Sequence, residues 1–180
     1  DTWVWNGQTW EFKSVGTRPP ARSVHGMAYD SDRGRLVMFG GVNSSINALG
    51  DTWEFTGTQW IQRATGGPTA REWAGMAYDP RVGHRKTVLF GGSGTGGTAF
   101  NDTWEWDGPS GTWTFTNAPG PSARSNKNLA FDAARGKIVL FSGYGSGTFR
   151  DDTWEYDGTA WTQRVTLRPR ARYSHPLVYD

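Results

Sequence analysis

The sequence contains no cysteine. That excludes a disulfide framework, a thiolate metal site and a thiol nucleophile. Histidine occurs only three times, with no His-rich spacing of the kind that builds a metal site. The formal net charge is +2, too small a surplus to imply a nucleic-acid partner. No run approaches the ~18 apolar residues of a membrane helix, so no membrane insertion is expected. Helical periodicity is absent, and no linker divides the 180 residues.

What is present is aromatic and glycine-rich: 11 Trp, 9 Phe, 6 Tyr and 25 Gly. The basic residues are lopsided, 15 Arg against 4 Lys, and many of the Arg stand at recurring positions. The recurrence is explicit. Asp51-Thr52-Trp53-Glu54-Phe55-Thr56-Gly57-Thr58-Gln59-Trp60 has counterparts beginning at Asp1, Asp102 and Asp152, at steps of 50, 51 and 50 residues. A fixed period of this length means one supersecondary unit stacked on copies of itself.

The second period shows four short strands. Trp53 and Phe55 lie two apart on one strand and share a face. Gly57 marks a turn, matched by Asn6-Gly7, Asp107-Gly108 and Asp157-Gly158, which are hairpin signals because these residues tolerate positive φ. The next strand opens at Trp60, with counterparts Trp10, Trp113 and Trp161. A polar connection holds Ala70-Arg71, matched by Ala21-Arg22, Ala123-Arg124 and Ala171-Arg172. Gly75 to Asp79 reads as the third strand. The fourth, Thr87 to Phe90, is continuously apolar and calls for cover on both faces. It ends in Gly91-Gly92, matched by Gly40-Gly41 and Ser142-Gly143.

Phe-Gly-Gly, Asp-Thr-Trp, Trp and Ala-Arg thus recur in order at fixed spacing along the whole chain. This pattern resembles the kelch-repeat family, and most of all bacterial kelch proteins rich in Asp-Thr-Trp-Glu-Trp and Tyr-Asp. The resemblance implies an all-β propeller of four-stranded blades, each beginning at the third strand of the period above. Residues 23–64, 72–117 and 125–166 then form complete blades. Residues 1–16 give two outer strands of a partial blade, and residues 173–180 a lone inner strand. Three blades and two fragments do not close a ring, so the missing blades are expected from a longer parent protein or from a second copy of the chain.

Residues common to every repeat read as scaffold: Trp3, Trp53, Trp104 and Trp154, and Arg22, Arg71, Arg124 and Arg172. Trp53 and Trp104 are expected to be buried, with truncation costing roughly 3–5 kcal/mol. The Asp of each Asp-Thr-Trp is expected to bind backbone amides of its turn. The repeated Arg is expected to stack on a ring or bond carbonyls of the neighbouring blade; a ring of Arg gripping anions is the functional alternative.

Residues that differ between equivalent positions are free to serve a ligand. The largest differences follow Ala-Arg: Val24 and His25, Glu72 and Trp73, Ser125, Asn126 and Lys127, Tyr173 and His175. In kelch propellers these positions line the channel mouth, with the loops 42–50, 93–101 and 144–151. Trp73 and Tyr173 are candidate aromatic platforms, although Trp73 also reads as inter-blade packing. Glu72, Asn126 and Lys127 offer polar contacts, and His25 and His175 are expected to be structural. His84 lies in a hairpin insertion at the opposite end and receives no role. Asn43-Ser44-Ser45 and Asn101-Asp102-Thr103 match the glycosylation pattern but read as turn-forming Asn.

The expected function is a non-catalytic scaffold engaging a protein segment or glycan at the channel mouth, without metal or cofactor. Copper chemistry of the galactose-oxidase kind needs a Tyr–Cys crosslink that this sequence cannot form, and no Gly-x-Ser-x-Gly elbow appears. A propeller enzyme with catalytic groups at the channel, and a self-assembling structural fragment, are the alternatives. The resemblance to secreted kelch proteins favours an extracellular setting.

Overall fold

A computed structural model describes residues 1–13, 15–125, 129–165, 169–172, 175 and 177–179. The strands form three four-stranded antiparallel sheets and two two-stranded hairpins. The first hairpin pairs β1 (Trp3–Trp5) with β2 (Trp10–Phe12). Blade A runs β3 (Gly26–Asp30), β4 (Arg35–Phe39), β5 (Thr52–Phe55), β6 (Trp60–Ala64). Blade B runs β7 (Gly75–Asp79), β8 (Lys86–Phe90), β9 (Thr103–Asp107), β10 (Thr112–Thr116). Blade C runs β11 (Leu129–Asp132), β12 (Lys137–Phe141), β15 (Thr153–Tyr156), β16 (Trp161–Arg164), with a small hairpin of β13 (Tyr144–Gly145) and β14 (Thr148–Phe149) inserted after β12. Inner strands β3, β7 and β11 are neighbours in turn, as blades around an axis require. The sheets do not close into a ring. No strand is assigned at residues 175 and 177–179, the described part of the segment expected as a lone inner strand.

Each sheet has two distinct faces because side chains alternate along a strand. In blade B, Met76, Leu89 and Trp106 point back onto Ala28, Val37 and Phe39 of blade A. Its other face gives Ala77, Val88 and Phe90 to Leu129, Leu140, Tyr156 and Trp161 of blade C. Blade A turns Met38, Trp53, Phe55 and Trp60 toward Val4 of the first hairpin. The central strands are therefore covered on both sides, as their unbroken apolar runs demand.

Two polar ties cross each full blade boundary. The outer-strand indole donates to the threonine of the preceding Asp-Thr-Trp: Trp60 to Thr2 at 2.9 Å, Trp113 to Thr52 at 2.8 Å, Trp161 to Thr103 at 2.9 Å. The aromatic two residues after the repeated Trp donates to the preceding blade's glutamate, Trp106 to Glu54 at 3.1 Å and Tyr156 to Glu105 at 2.9 Å. Burial, reinforced by the Glu105 charge, pushes the Tyr156 phenol well above its ordinary value. At the first boundary the equivalent pair, Val4 and Phe55, is apolar on both sides.

The repeated arginine and aspartate meet within one blade. Arg71 forks onto Asp102 at 2.5 and 2.8 Å and also donates to the carbonyls of Gly91 and Thr69. Arg22–Asp51 and Arg124–Asp152 repeat the fork. Each aspartate also accepts the indole N–H of its own Asp-Thr-Trp, including Asp1 from Trp3. Asp51, Asp102 and Asp152 each accept a backbone amide as expected, their own, and guanidinium and indole donors join it on the carboxylate because the chain brings all three to the same point. The anion-gripping alternative falls for Arg22, Arg71 and Arg124, whose side chains are buried in these pairs. Stacking is present at Arg71, 4.1 Å above the Phe100 ring.

The repeated Trp are not equally covered. Trp53 is 4% exposed, Trp104 and Trp154 are half-buried, and Trp3 is 50% exposed. Trp104 falls short of the burial expected because it packs at the blade rim beside exposed Phe115. Among the described residues, no sheet covers the face that carries Trp3.

Candidate functional site

The Gly doublet decides how the loops are placed. Gly91 and Gly92 hold φ of 65° and 97°, and a Cβ at these positions would lie 2.5 Å from the Arg124 carbonyl oxygen and 2.7 Å from that of Glu72. Only glycine admits that approach cheaply. In blade C, Ser142 adopts φ of 70°, with its hydroxyl donating to the Arg150 carbonyl at 2.8 Å. The turn folds the following loop back beside the start of the inner strand. Ser23 bridges Val42, Glu72 bridges Ser93, and Ser125 bridges Tyr144. Neighbouring blades are stitched at the same level. Gly41 N–H donates to the Arg71 carbonyl, Gly92 N–H to that of Arg124, and Trp73 N–H to that of Val24 at 2.9 Å.

Loops 42–50, 93–101 and 144–151 thus share one end of the sheets with the starts of the inner strands. Loops A and B have the same closed form: Asn43 N–H bonds the Asn47 carbonyl, and Gly94 N–H bonds that of Thr98. They touch through Ala48 N–H donating to Thr95 Oγ1 at 3.0 Å. Asn43 Oδ1 accepts the Ser45 and Asn47 amides, which is the turn-forming role expected of it. Thr103, the hydroxyl residue of the other sequon, is buried under Trp161.

The sequence-derived candidates fall as follows. Val24 and Trp73 are equivalent, half-buried, and both left-handed, at φ of 50° and 57°. Glu72 is half-buried and exchanges two backbone bonds with Ser93. His25 packs its Cβ near Gly41. His175 stacks edge-on against Phe141 at 5.5 Å, and burial together with nearby Arg172 holds its imidazole below the ordinary value. Asn126, Lys127 and Tyr173 lie outside the described residues. Arg172 is exposed; its Nε bonds the Arg170 carbonyl, and its own carbonyl receives Gly143 N–H.

Sequence reasoning named these loops but missed their most prominent side chains. Ile46 is 78% exposed and holds φ of 59°, an uncommon conformation for a β-branched residue. It stands at the tip of the loop between Asn43-Ser44-Ser45 and Asn47, and that contrast was the available signal. On the equivalent loop of blade C, Tyr144 and Phe149 pair their rings at 5.1 Å and are both exposed. Between them lie Gly96 and Gly97 of loop B, with open space where side chains would be. Two apolar ridges therefore stand on the loops to either side of these exposed glycines. The opposite end is cross-linked instead. Arg85 pairs with Asp32 of blade A at 3.0 Å, and the His84 ring lies directly over Gly158 of blade C. Among the described residues, no group of three or more His, Cys, Asp or Glu is placed to hold a metal ion.

Comparison with known proteins agrees with the architecture. The family model described as the KLHDC2/KLHL20/DRC7 kelch-repeats domain matches residues 1–180. An F-box/kelch-repeat protein of Arabidopsis thaliana is 31% identical over 129 residues, 59% of this chain and 25% of that protein. Dynein regulatory complex subunit 7 of Chlamydomonas reinhardtii is 35% identical over 92 residues, 46% of this chain and 7% of that protein. The chain therefore matches a quarter or less of these relatives' length. With four copies of Asp-Thr-Trp, three four-stranded sheets joined face to face and a family match along its whole length, the chain belongs to the kelch-repeat family.

Proposed function

We propose that the chain is a non-catalytic interaction scaffold that binds a protein segment across its loop end. The observation that carries this reading is Ile46, an apolar side chain on left-handed backbone held in solvent. An isoleucine gains nothing in that position for folding. Left-handed backbone costs a residue with a Cβ roughly 1–2 kcal/mol, and such strain clusters at binding sites. Tyr144 and Phe149 supply a second exposed apolar ridge on the same end. Ridges on either side of Gly96 and Gly97 suit an extended peptide lying across three blades, with apolar side chains at each flank. Kelch repeats in general serve as protein-interaction scaffolds, which agrees with this reading.

A glycan is the other ligand class, since the Tyr144 and Phe149 rings offer faces for stacking. The peptide reading is favoured because Ile46 has no use to a sugar. Peptides selected from a displayed library against the immobilised chain test it. Binding should fall at least tenfold in Ile46→Gly and in Tyr144→Ala, while the thermal midpoint holds or rises in Ile46→Gly. Selected peptides that bind both variants undiminished, or a glycan array giving the only ligands, would refute the peptide reading.

A further inference from the structure

In each of the three blades the residue after the repeated Trp is a glutamate, and two of the three are capped by arginine. Glu54 receives a fork from Arg33 and has Arg63 at 3.7 Å. Glu155 takes bonds from Arg135 and, at 2.7 Å, from Arg164 Nε. Glu105 is their counterpart in blade B. Among the described residues it has no ion pair, and its bond is to the Tyr156 hydroxyl at 2.9 Å. Glu54 and Glu155 are 2 and 4% exposed, whereas Glu105 is half-buried, so its carboxylate stays partly open to solvent.

Both arginines are missing for identifiable reasons. Arg164 stands opposite Thr153 in blade C, and in the same register of blade B Thr116 stands opposite Thr103. A short hydroxyl therefore replaces a guanidinium. Arg33 and Arg135 follow the turn aspartates Asp30 and Asp132 by three residues and bond them. In blade B, whose turn is two residues longer, Arg81 follows Asp79 by two. It forks onto that carboxylate and donates to the Asp157 carbonyl of blade C. The His84 ring lies over Gly158, as the Arg33 guanidinium lies over Gly108. Arg85, Lys86 and Lys137, at the same end, pair with Asp32, Asp107 and Asp157.

We propose that the seam between blades B and C receives one arginine side chain of a partner protein, with Glu105 as its counter-ion. The guanidinium would enter beside Thr114 and Thr116, which share the Glu105 face of the outer strand. Thr114 is paired directly opposite Glu105 and is exposed. The acceptors are the Glu105 Oε2 that Tyr156 does not use, Thr116 Oγ1 and the Gly158 carbonyl. That carbonyl is the counterpart of the Gly108 carbonyl, which accepts Arg63 across the neighbouring seam at 3.0 Å. Arginine is the occupant because blades A and C already set its planar fork beside the equivalent glutamate. A carboxylate half withdrawn from water and lacking a cation gains most from such a partner. Both walls of this seam are complete four-stranded sheets. The site is separate from the loop end and stands whether or not peptides bind there.

Titration of the 180-residue chain with N-acetyl-arginine methylamide at low salt, followed by amide and indole chemical shifts, tests this. The probe should bind with millimolar affinity and move the Glu105, Thr116 and Trp161 signals. N-acetyl-lysine methylamide should bind at least about threefold more weakly, and the neutral citrulline analogue should leave these signals in place. Glu105→Gln should weaken the arginine probe about tenfold. Thr116→Arg supplies the guanidinium from within the chain, as Arg164 does in blade C. It should raise the urea midpoint and abolish the shifts. Wild-type signals that stay still, equal binding of the lysine or citrulline analogue, or undiminished binding by Thr116→Arg would each overturn the proposal. So would a Thr116→Arg midpoint below that of wild type.

Discussion

Replacing Arg71 by alanine removes a guanidinium with no solvent exposure that makes four bonds: two to Asp102 and one each to the Gly91 and Thr69 carbonyls. Hydrogen bonds to charged groups are worth about 1.5–3 kcal/mol net, and each orphaned buried acceptor costs about 1–3 more. Breaking one side of a buried pair costs about 3–5 kcal/mol in all. Asp102 is 22% exposed, so water rehydrates part of it and the lower end applies. A loss of about 3 kcal/mol lowers the thermal midpoint by roughly 6–12 °C for a chain of this size. The assay is urea unfolding followed by tryptophan fluorescence on wild type, Arg71→Ala, Asp102→Ala and the double variant. The double variant should lose clearly less than the two singles together, with coupling of about 2 kcal/mol. Arg172, exposed and without a carboxylate partner among the described residues, is the internal control, and Arg172→Ala should fall within about 0.5 kcal/mol of wild type. Equal losses at Arg71 and Arg172, or additive losses at Arg71 and Asp102, would refute the reasoning.

Asp51, Asp102 and Asp152 are each half-buried, which opposes ionisation, yet bonds from Arg22, Arg71 or Arg124 and from an indole outweigh this and hold the carboxyls below their ordinary value. A depressed folded pKa contributes stability that is present above the unfolded value and lost as pH falls through the folded one. The urea midpoint should therefore be level down to about pH 5 and drop below about pH 4, with a shallower drop in Asp102→Ala. Trp113→Phe leaves the buried Thr52 hydroxyl without its donor and should cost about 1–3 kcal/mol by the same unfolding assay, largely absent when Thr52→Val is already present. Gly91→Ala drives a Cβ into the Arg124 carbonyl and should lower the thermal midpoint far more than Gly96→Ala. At Gly96 the left-handed backbone alone costs about 1–2 kcal/mol and nothing lies in the way.

The blade architecture was legible because each period repeats its Trp, Gly and Ala-Arg at fixed offsets, and the two-residue spacing of Trp53 and Phe55 fixes which side chains share a face. Long-range pairing was not legible. Nothing in Ala-Arg or Asp-Thr-Trp announces that Arg71 reaches Asp102, 31 residues on, since that meeting depends on the sheet bringing its two ends together. Glu54, between two aromatics on its strand, carries no signal of burial in the sequence; it is buried because its face is covered by the next blade. At the loop end, variability between repeats pointed to the starts of the inner strands and the loops after the Gly doublet. Backbone strain at Ile46 and Trp73 could only be seen in three dimensions, and Asn126, Lys127 and Tyr173 fall outside the described residues.

The Val4–Phe55 boundary carries a consequence for how such a chain can be lengthened. A duplicated unit cut from blade B would slot in after blade A or before blade C with every indole and phenol greeted by a glutamate. Moved ahead of blade A, the same unit would set Glu105 against the hydrocarbon ring of Phe55, stranding a carboxylate where no proton is offered. Growth by copying is therefore permissive in the interior of this array and disfavoured at its first seam, unless Phe55 changes to tyrosine or tryptophan and Val4 to glutamate in the same step.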